Sequence, residues 1–264
     1  MTTTTTTTAT RAATATATAA TARNALRAER IKLTTLRSLW ITPLTALLLT
    51  VGFTTAVAAA VGATDETLAA DPGIGIHYGL NFGQAALVCF AVLLLGQEFS
   101  TRMIGASLTA VPHRGRLYGA KLALGAAVAL AVGLLGTAGS FAGYAVFVPH
   151  AGNDDALVRS ITAGVLYPVL LVVLCLGLTA VLRNLTAAMG LLLPGVFLLS
   201  PLLSGVPGVR LAAQFLPDRA GQYALRYAED PQVAYGHWTG LLIMAVWAGA
   251  AAYGGLRSLR RQAI

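Results

Sequence analysis

The sequence predicts an all-α, polytopic membrane protein: six transmembrane helices preceded by an N-terminal amphipathic interfacial helix. Three observations predict it. Of the 264 residues, 56% are hydrophobic and only 11% charged, where a soluble domain carries about 25% charged residues. Too little charge is left to build a surface that faces water all round. The apolar residues fall in runs at about 41–63, 80–97, 120–148, 159–182, 185–207 and 239–256. Most of these are near the roughly twenty residues a helix needs to cross a hydrocarbon core. Finally, the charges partition. With the N-terminus inside and each run crossing, fourteen of the eighteen Lys and Arg fall in inside segments, and eight of the ten Asp and Glu fall outside. The cation bias is the positive-inside rule, whereas the acid bias carries little weight alone. A wrong span count would have mixed the groups. The expected product is a multi-pass protein of the plasma (inner) membrane with both termini cytoplasmic.

Residues 1–22 are nearly all Thr and Ala. They offer no apolar period to bury and read as a disordered tail. Residues 23–264 then form a single permease-sized membrane domain, since no long polar segment remains for a second. The tail is a poor signal peptide: the first apolar run is longer than a signal's hydrophobic region and follows a basic stretch. Cleavage after the Ala-rich stretch 57–63 is the lesser alternative. In residues 23–40, Leu26, Leu33, Leu36 and Trp40 recur at helical spacing, with Arg23, Arg27, Arg30, Lys32 and Arg37 mostly around the other side. That pattern suits a helix lying among lipid headgroups, with membrane lipids as its partner.

The third run is long enough to tilt or to extend past the membrane. Only Arg183 and Asn184 separate the fourth and fifth runs, which predicts a tight helical hairpin. Pro168, Pro194, Pro201 and Pro207 can kink those two spans. Rows of small residues suit close helix packing in lipid: Gly75, Gly79 and Gly83; Gly125, Ala129 and Gly133; Gly139 and Gly143.

Catalytic signatures are missing. The sequence contains no phosphate-cradling G-x-x-x-x-G-K-[ST], no H-E-x-x-H and no G-x-S-x-G. His77, His113, His150 and His237 are scattered, and none stands at metal-ligand spacing. Cys89 and Cys175 lie inside apolar runs and read as small buried hydrophobes. The span centres hold no Asp, Glu, Lys or Arg, which a proton-coupled transporter or ion pump would need. No convergent polar groups are expected inside the bundle, so no enzyme, cofactor or metal is expected either. The net charge of +8 belongs to topology rather than to nucleic acid, because the cations flank apolar runs.

The most specific segment is the loop at 96–121, GQEFSTRMIGASLTAVPHRGRLYGAK. Glu98 ends the second span, and Arg102 stands four residues on, at pairing distance on a helix. Met103, Ile104, Leu108 and Val111 then give a short amphipathic stretch closed by Pro112. Arg114, Arg116 and Lys121 lead into the third span.

These residues resemble the ABC-2 type permeases, membrane subunits of ATP-binding cassette exporters that are often bacterial. The similarity rests on Glu98-Phe99 at the end of the second span, the Met103-Ile104 step, the Pro112-His113-Arg114 turn and Lys121 opening the third span. It is joined by Glu29-x-x-Lys32-Leu33 with Arg37-Ser38 before the first span. It covers the chain from about residue 24 to the end. Gln97 departs from the pattern, where a small or hydroxyl residue is usual, and the Thr/Ala tail lies outside it. The resemblance implies a separate ABC ATPase subunit as the energy source and a second permease subunit, as homodimer or sister chain. It makes the 97–117 loop a coupling helix and 23–40 a connecting helix. It also implies an external region at 208–237 that folds back against the membrane, read here as one or two short amphipathic helices broken at Pro217. Export of a hydrophobic or amphiphilic, drug- or lipid-like substrate is the function it implies. The alternative is a membrane protein that transports nothing and docks a cytoplasmic partner through the 96–121 loop.

Overall fold

The computed structural model describes residues 37–61, 71–100, 114–148, 154–199, 202–203, 206 and 208–261. Most of those residues are helical, and none of them is in a strand. In chain order the helices are α1 (Arg37–Val61), α2 (Pro72–Ile76), α3 (Leu80–Ser100), α4 (Arg114–Phe147), α5 (Asp154–Leu182), α6 (Leu185–Pro194), α7 (Arg210–Ala213), α8 (Pro217–Tyr223) and α9 (His237–Arg260). Five of them, α1, α3, α4, α5 and α9, are long and apolar enough to cross a membrane. The protein is a polytopic all-α membrane protein.

Its surface follows from lipid as solvent. Leu48, Leu135, Leu242 and Val246 are each more than 60% exposed on α1, α4 and α9. In water such faces would drive aggregation; in hydrocarbon they cost nothing. The interior is correspondingly tight. Helix α5 is the hub and packs against α3, α4 and α9, while α1 packs against α3 and α4. Tyr167, Leu171, Cys175 and Leu176 of α5 are fully buried, with Phe90 and Leu87 of α3 beside them in one core.

Small residues make these approaches possible. A methyl group at Gly79 or Gly83 would run into Thr50 of α1, and one at Gly143 into Thr55. A Cβ at Gly133 would lie 2.6 Å from the Val165 carbonyl oxygen of α5. The glycine rows seen in the sequence are therefore the seams between spans, as in other membrane bundles. One seam had no glycine row to announce it: α5 and α9 meet where Gly177 faces the Ala251 backbone.

Several boundaries differ from expectation. The expected interfacial helix ended at Trp40, but residues 37–40 form the first turn of α1, which continues unbroken to Val61. Nothing between Trp40 and Ile41 stops a helix, and Pro43, so near the N-terminus, interrupts little. Residues 23–36, including Glu29 and Lys32, lie outside the described residues, as does the 1–22 tail. Helix α4 begins at Arg114 rather than near residue 120, and its 34 residues span about 51 Å, well beyond a hydrocarbon core of about 30 Å.

The fifth run is interrupted at one of the expected prolines. Helix α6 ends at Pro194 and passes directly into a π-helical turn, Gly195–Leu199; most of residues 200–207 lie outside the described residues. Proline supplies no N–H and crowds the preceding turn, which favours such a break. The chain still crosses the bundle here. Leu185 packs on Gly96 at the end of α3, whereas Gln222 bonds Gln84 near the start of α3.

The hairpin between α5 and α6 is as tight as expected. Arg183 adopts a left-handed conformation (φ 54°), which costs a non-glycine residue about 1–2 kcal/mol. Its guanidinium holds Ser258 of α9 through both the hydroxyl and the carbonyl. Asn184 caps α6 by accepting from the Ala187 N–H at 3.1 Å.

The connections sort to two ends. One end gathers the start of α1, the end of α3, the start of α4, the Arg183 turn and the end of α9; Glu98 and Lys121 lie there. The other gathers α2, the start of α5, and α7 and α8; Asp71 and Tyr227 lie there. This is the alternation that six crossings require.

Candidate functional site

At the 98/121 end, Glu98 of α3 and Lys121 of α4 form an ion pair of 2.9 Å with both side chains more than nine-tenths buried. The ammonium also donates to the Leu94 carbonyl oxygen at 3.3 Å. Leu94 stands one helical turn before Glu98, so the lysine meets both acceptors on one face of α3. The pair joins the two helices that bracket the 101–113 segment. The sequence grouped Lys121 with Arg114 and Arg116 as a basic cluster leading into the third span; the structure places it at the eighth position of α4, enclosed by the bundle. Phe99 is half-buried and packs on the central core. Gln97 donates to the Ser38 hydroxyl of α1 at 3.2 Å, so the residue that departs from the family pattern ties α3 to α1. Arg37 is exposed at the first position of α1. Arg114 opens α4. Arg102, Met103, Ile104 and Pro112 lie outside the described residues, and with Arg102 the expected partner of Glu98.

At the 71/227 end, the strip Leu225–Ala228 has no regular structure, and its backbone is satisfied by side chains of α5 and of the residue that caps α2. Ser160 donates to the Leu225 oxygen at 2.6 Å. Arg159 donates to the oxygens of Arg226 and Tyr227 at 3.0 and 3.2 Å. Asp71 accepts from the N–H groups of Tyr227 and Ala228 at 2.8 and 3.2 Å, and also caps α2 through Gly73 at 3.0 Å. A carboxylate that collects backbone N–H groups and a guanidinium that collects carbonyls form a clasp on both sides of one strip. Burial and the Asp71 charge push the Tyr227 phenol up to about 12.

His77 lies beneath this clasp. Ser160 spends its proton on Leu225, so its oxygen accepts from His77 Nε2, 3.1 Å away. Burial lowers the His77 pKa from 6.5 to about 4, and the ring is neutral at physiological pH.

Deeper in the bundle, the Tyr167 hydroxyl donates to Gln84 Oε1 at 2.6 Å, and Gln222 Nε2 donates to the same oxygen at 3.3 Å. This network corrects the expectation that no polar groups converge inside the bundle. A search for charge could not find it, because its members are two amides and a phenol. It borders a cavity of about 200 Å³ lined by His77, Asn81, Gln84, Tyr167, Arg219 and Gln222 among others. The two amides and the phenol can orient a polar group there, and Arg219 adds a cation to the same wall.

The 208–237 segment forms the two short helices expected, α7 and α8, divided at Pro217, which occupies the first turn of α8. Tyr223 stacks on His237 with ring centroids 4.6 Å apart, and Gly221 and Gly240 let α8 lie against α9.

Comparison of the chain with protein-family models gives no match, and comparison with curated proteins gives none either.

Proposed function

We propose that this protein is the permease subunit of an ABC-2 type exporter, working with a separate ATPase and a second permease subunit to move a hydrophobic or amphiphilic substrate. The 98/121 end then faces the cytoplasm, with both termini there, and the membrane is the plasma (inner) membrane. The observation that carries the reading is the buried Glu98–Lys121 pair. It fixes the ends of α3 and α4 to each other, so a partner pressing on the intervening 101–113 segment acts on two spans at once. The loop residues that resemble the family's coupling helix stand in that connection. The cavity beside Gln84 and Tyr167, toward the far end of the same helices, gives the motion a compartment to open.

The test is co-expression with the ATPase encoded by the adjacent reading frame. Transport, scored as resistance to a panel of hydrophobic compounds, and permease-dependent ATPase stimulation are measured together. Arg102→Ala and Glu98→Gln are expected to lower both while the protein still inserts and elutes as a single species. Unchanged transport in both variants would sink the coupling role. Purification without an ATPase, and no response to nucleotide, would favour the docking protein that transports nothing.

A further inference from the structure

We propose that the cleft between α7, α8 and residues 230–235 is an anion site, built to take a phosphate or carboxylate group. The cleft holds about 210 Å³ and is lined by Arg210, Arg219, Arg226 and Asp230, with Gln214, Gln222, Gln232 and two tyrosines completing the wall. Three cations face one acid, and that acid already accepts from the Gln232 N–H at 2.9 Å. Asp218, the neighbouring carboxylate on α8, is buried and does not line the cleft.

The sharpest observation is Arg219. It lines both this cleft and the adjoining cavity beside Tyr167, yet its Nε is buried without a hydrogen-bond acceptor. A guanidinium presents five donors in a rigid fork and is costly to bury unmatched. With Nε enclosed, the outer guanidinium nitrogens are the donors left to the cleft, and an oxyanion there can take both of them. The Gln232 side chain, on the same wall, can donate to a remaining oxygen.

Trp238, the second residue of α9, is more than half exposed on the same end of the molecule as the cleft. An exposed tryptophan at the end of a spanning helix is of the kind that sits at the membrane–water interface. The anion therefore has two sources, a lipid headgroup phosphate or a soluble phosphate ion, with the same chemistry. The site stands apart from the transport proposal, since its occupancy is measurable without an ATPase.

The experiment uses the full chain in nanodiscs of phosphatidylcholine alone or with phosphatidylglycerol. Retained lipid is counted by native mass spectrometry, and inorganic phosphate is titrated separately against intrinsic tryptophan fluorescence. Retention of phosphatidylglycerol over phosphatidylcholine that drops about tenfold or more in Arg219→Gln and Arg226→Gln supports the site with a lipid as source. Saturable phosphate binding lost in the same variants supports it with a soluble ion as source. Arg210 is exposed, so Arg210→Gln carries the test if Arg219→Gln does not fold. Equal retention of both lipids together with no phosphate response, or binding that all three variants leave intact, overturns it.

Discussion

Removing one member of the Glu98–Lys121 pair should cost far more than removing both. At 2.9 Å, and with an effective dielectric of about 20, the Coulomb attraction is about 6 kcal/mol. Taking each charge out of water costs several kcal/mol, so the intact pair comes close to breaking even. Lys121→Met leaves a carboxylate enclosed without its cation, and Glu98→Gln leaves an enclosed ammonium without its anion. Each is expected to destabilise the protein by about 3–5 kcal/mol, or roughly 6–20 °C in apparent Tm. The double variant, which buries no net charge, should recover most of that loss. The assay is the folded fraction of detergent-purified protein after a temperature ramp, read by size-exclusion, for the four proteins of a double-mutant cycle. If the two single variants are each within about 0.5 kcal/mol of the parent, or if the double variant loses the sum of both, the burial argument is wrong.

Asp71→Ala strips two N–H acceptors from the 225–228 strip and one from the α2 cap; hydrogen exchange at the Tyr227 and Ala228 amides should speed up at least about tenfold, following the loss of about 1.5–3 kcal/mol per charge-assisted bond. A methyl group at Gly79 overlaps the Thr50 backbone, whereas one at Gly52 meets nothing within 4 Å. Gly79→Ala should therefore lose about 1–3 kcal/mol and Gly52→Ala less than about 0.5 kcal/mol, compared by thermal stability. His77 contributes a pH dependence of definite sign. Its pKa is near 6.5 unfolded and about 4 folded, so the unfolded chain takes up the proton first as pH falls. Stability present above pH 6.5 declines as pH drops toward 4, by about 3 kcal/mol in total. His77→Gln should flatten that part of the profile, and an unchanged slope in the variant would assign the effect elsewhere.

The spans were legible because hydropathy is summed over twenty residues and survives any single exception. The glycine rows were legible for the same reason: a periodic stripe needs no partner to be seen. Gly177 escaped because α5 offers no row of glycines there, and the facing stripe on α9, Ala248, Ala251 and Gly255, stands seventy residues away. The Gln84–Tyr167–Gln222 network escaped because each member alone is an ordinary polar residue, and only the packing of α3, α5 and α8 brings them together. Glu98 and Lys121 were both singled out, but not as partners. Local spacing offered Arg102 for Glu98, while the pairing observed depends on where α4 starts, and helix starts are set by caps and tertiary contacts more than by composition. The fifth span was legible as an apolar run with Pro194 inside it, and the change from α to π winding falls at that proline.

The turn at Arg183 and Asn184 leaves no slack between α5 and α6. The cap on Ala187 and the arginine grip on Ser258 lock that corner to α9 as well. Three crossings are thus riveted at one end of the molecule, and the fifth changes from α to π winding past Pro194. In mechanical terms the first ten residues of that crossing are a fixed strut. A displacement imposed at the 98/121 end therefore reaches α8 along α3, α5 and α9 together, through Gln84, Tyr167 and the close approach of Gly240 to Ala220.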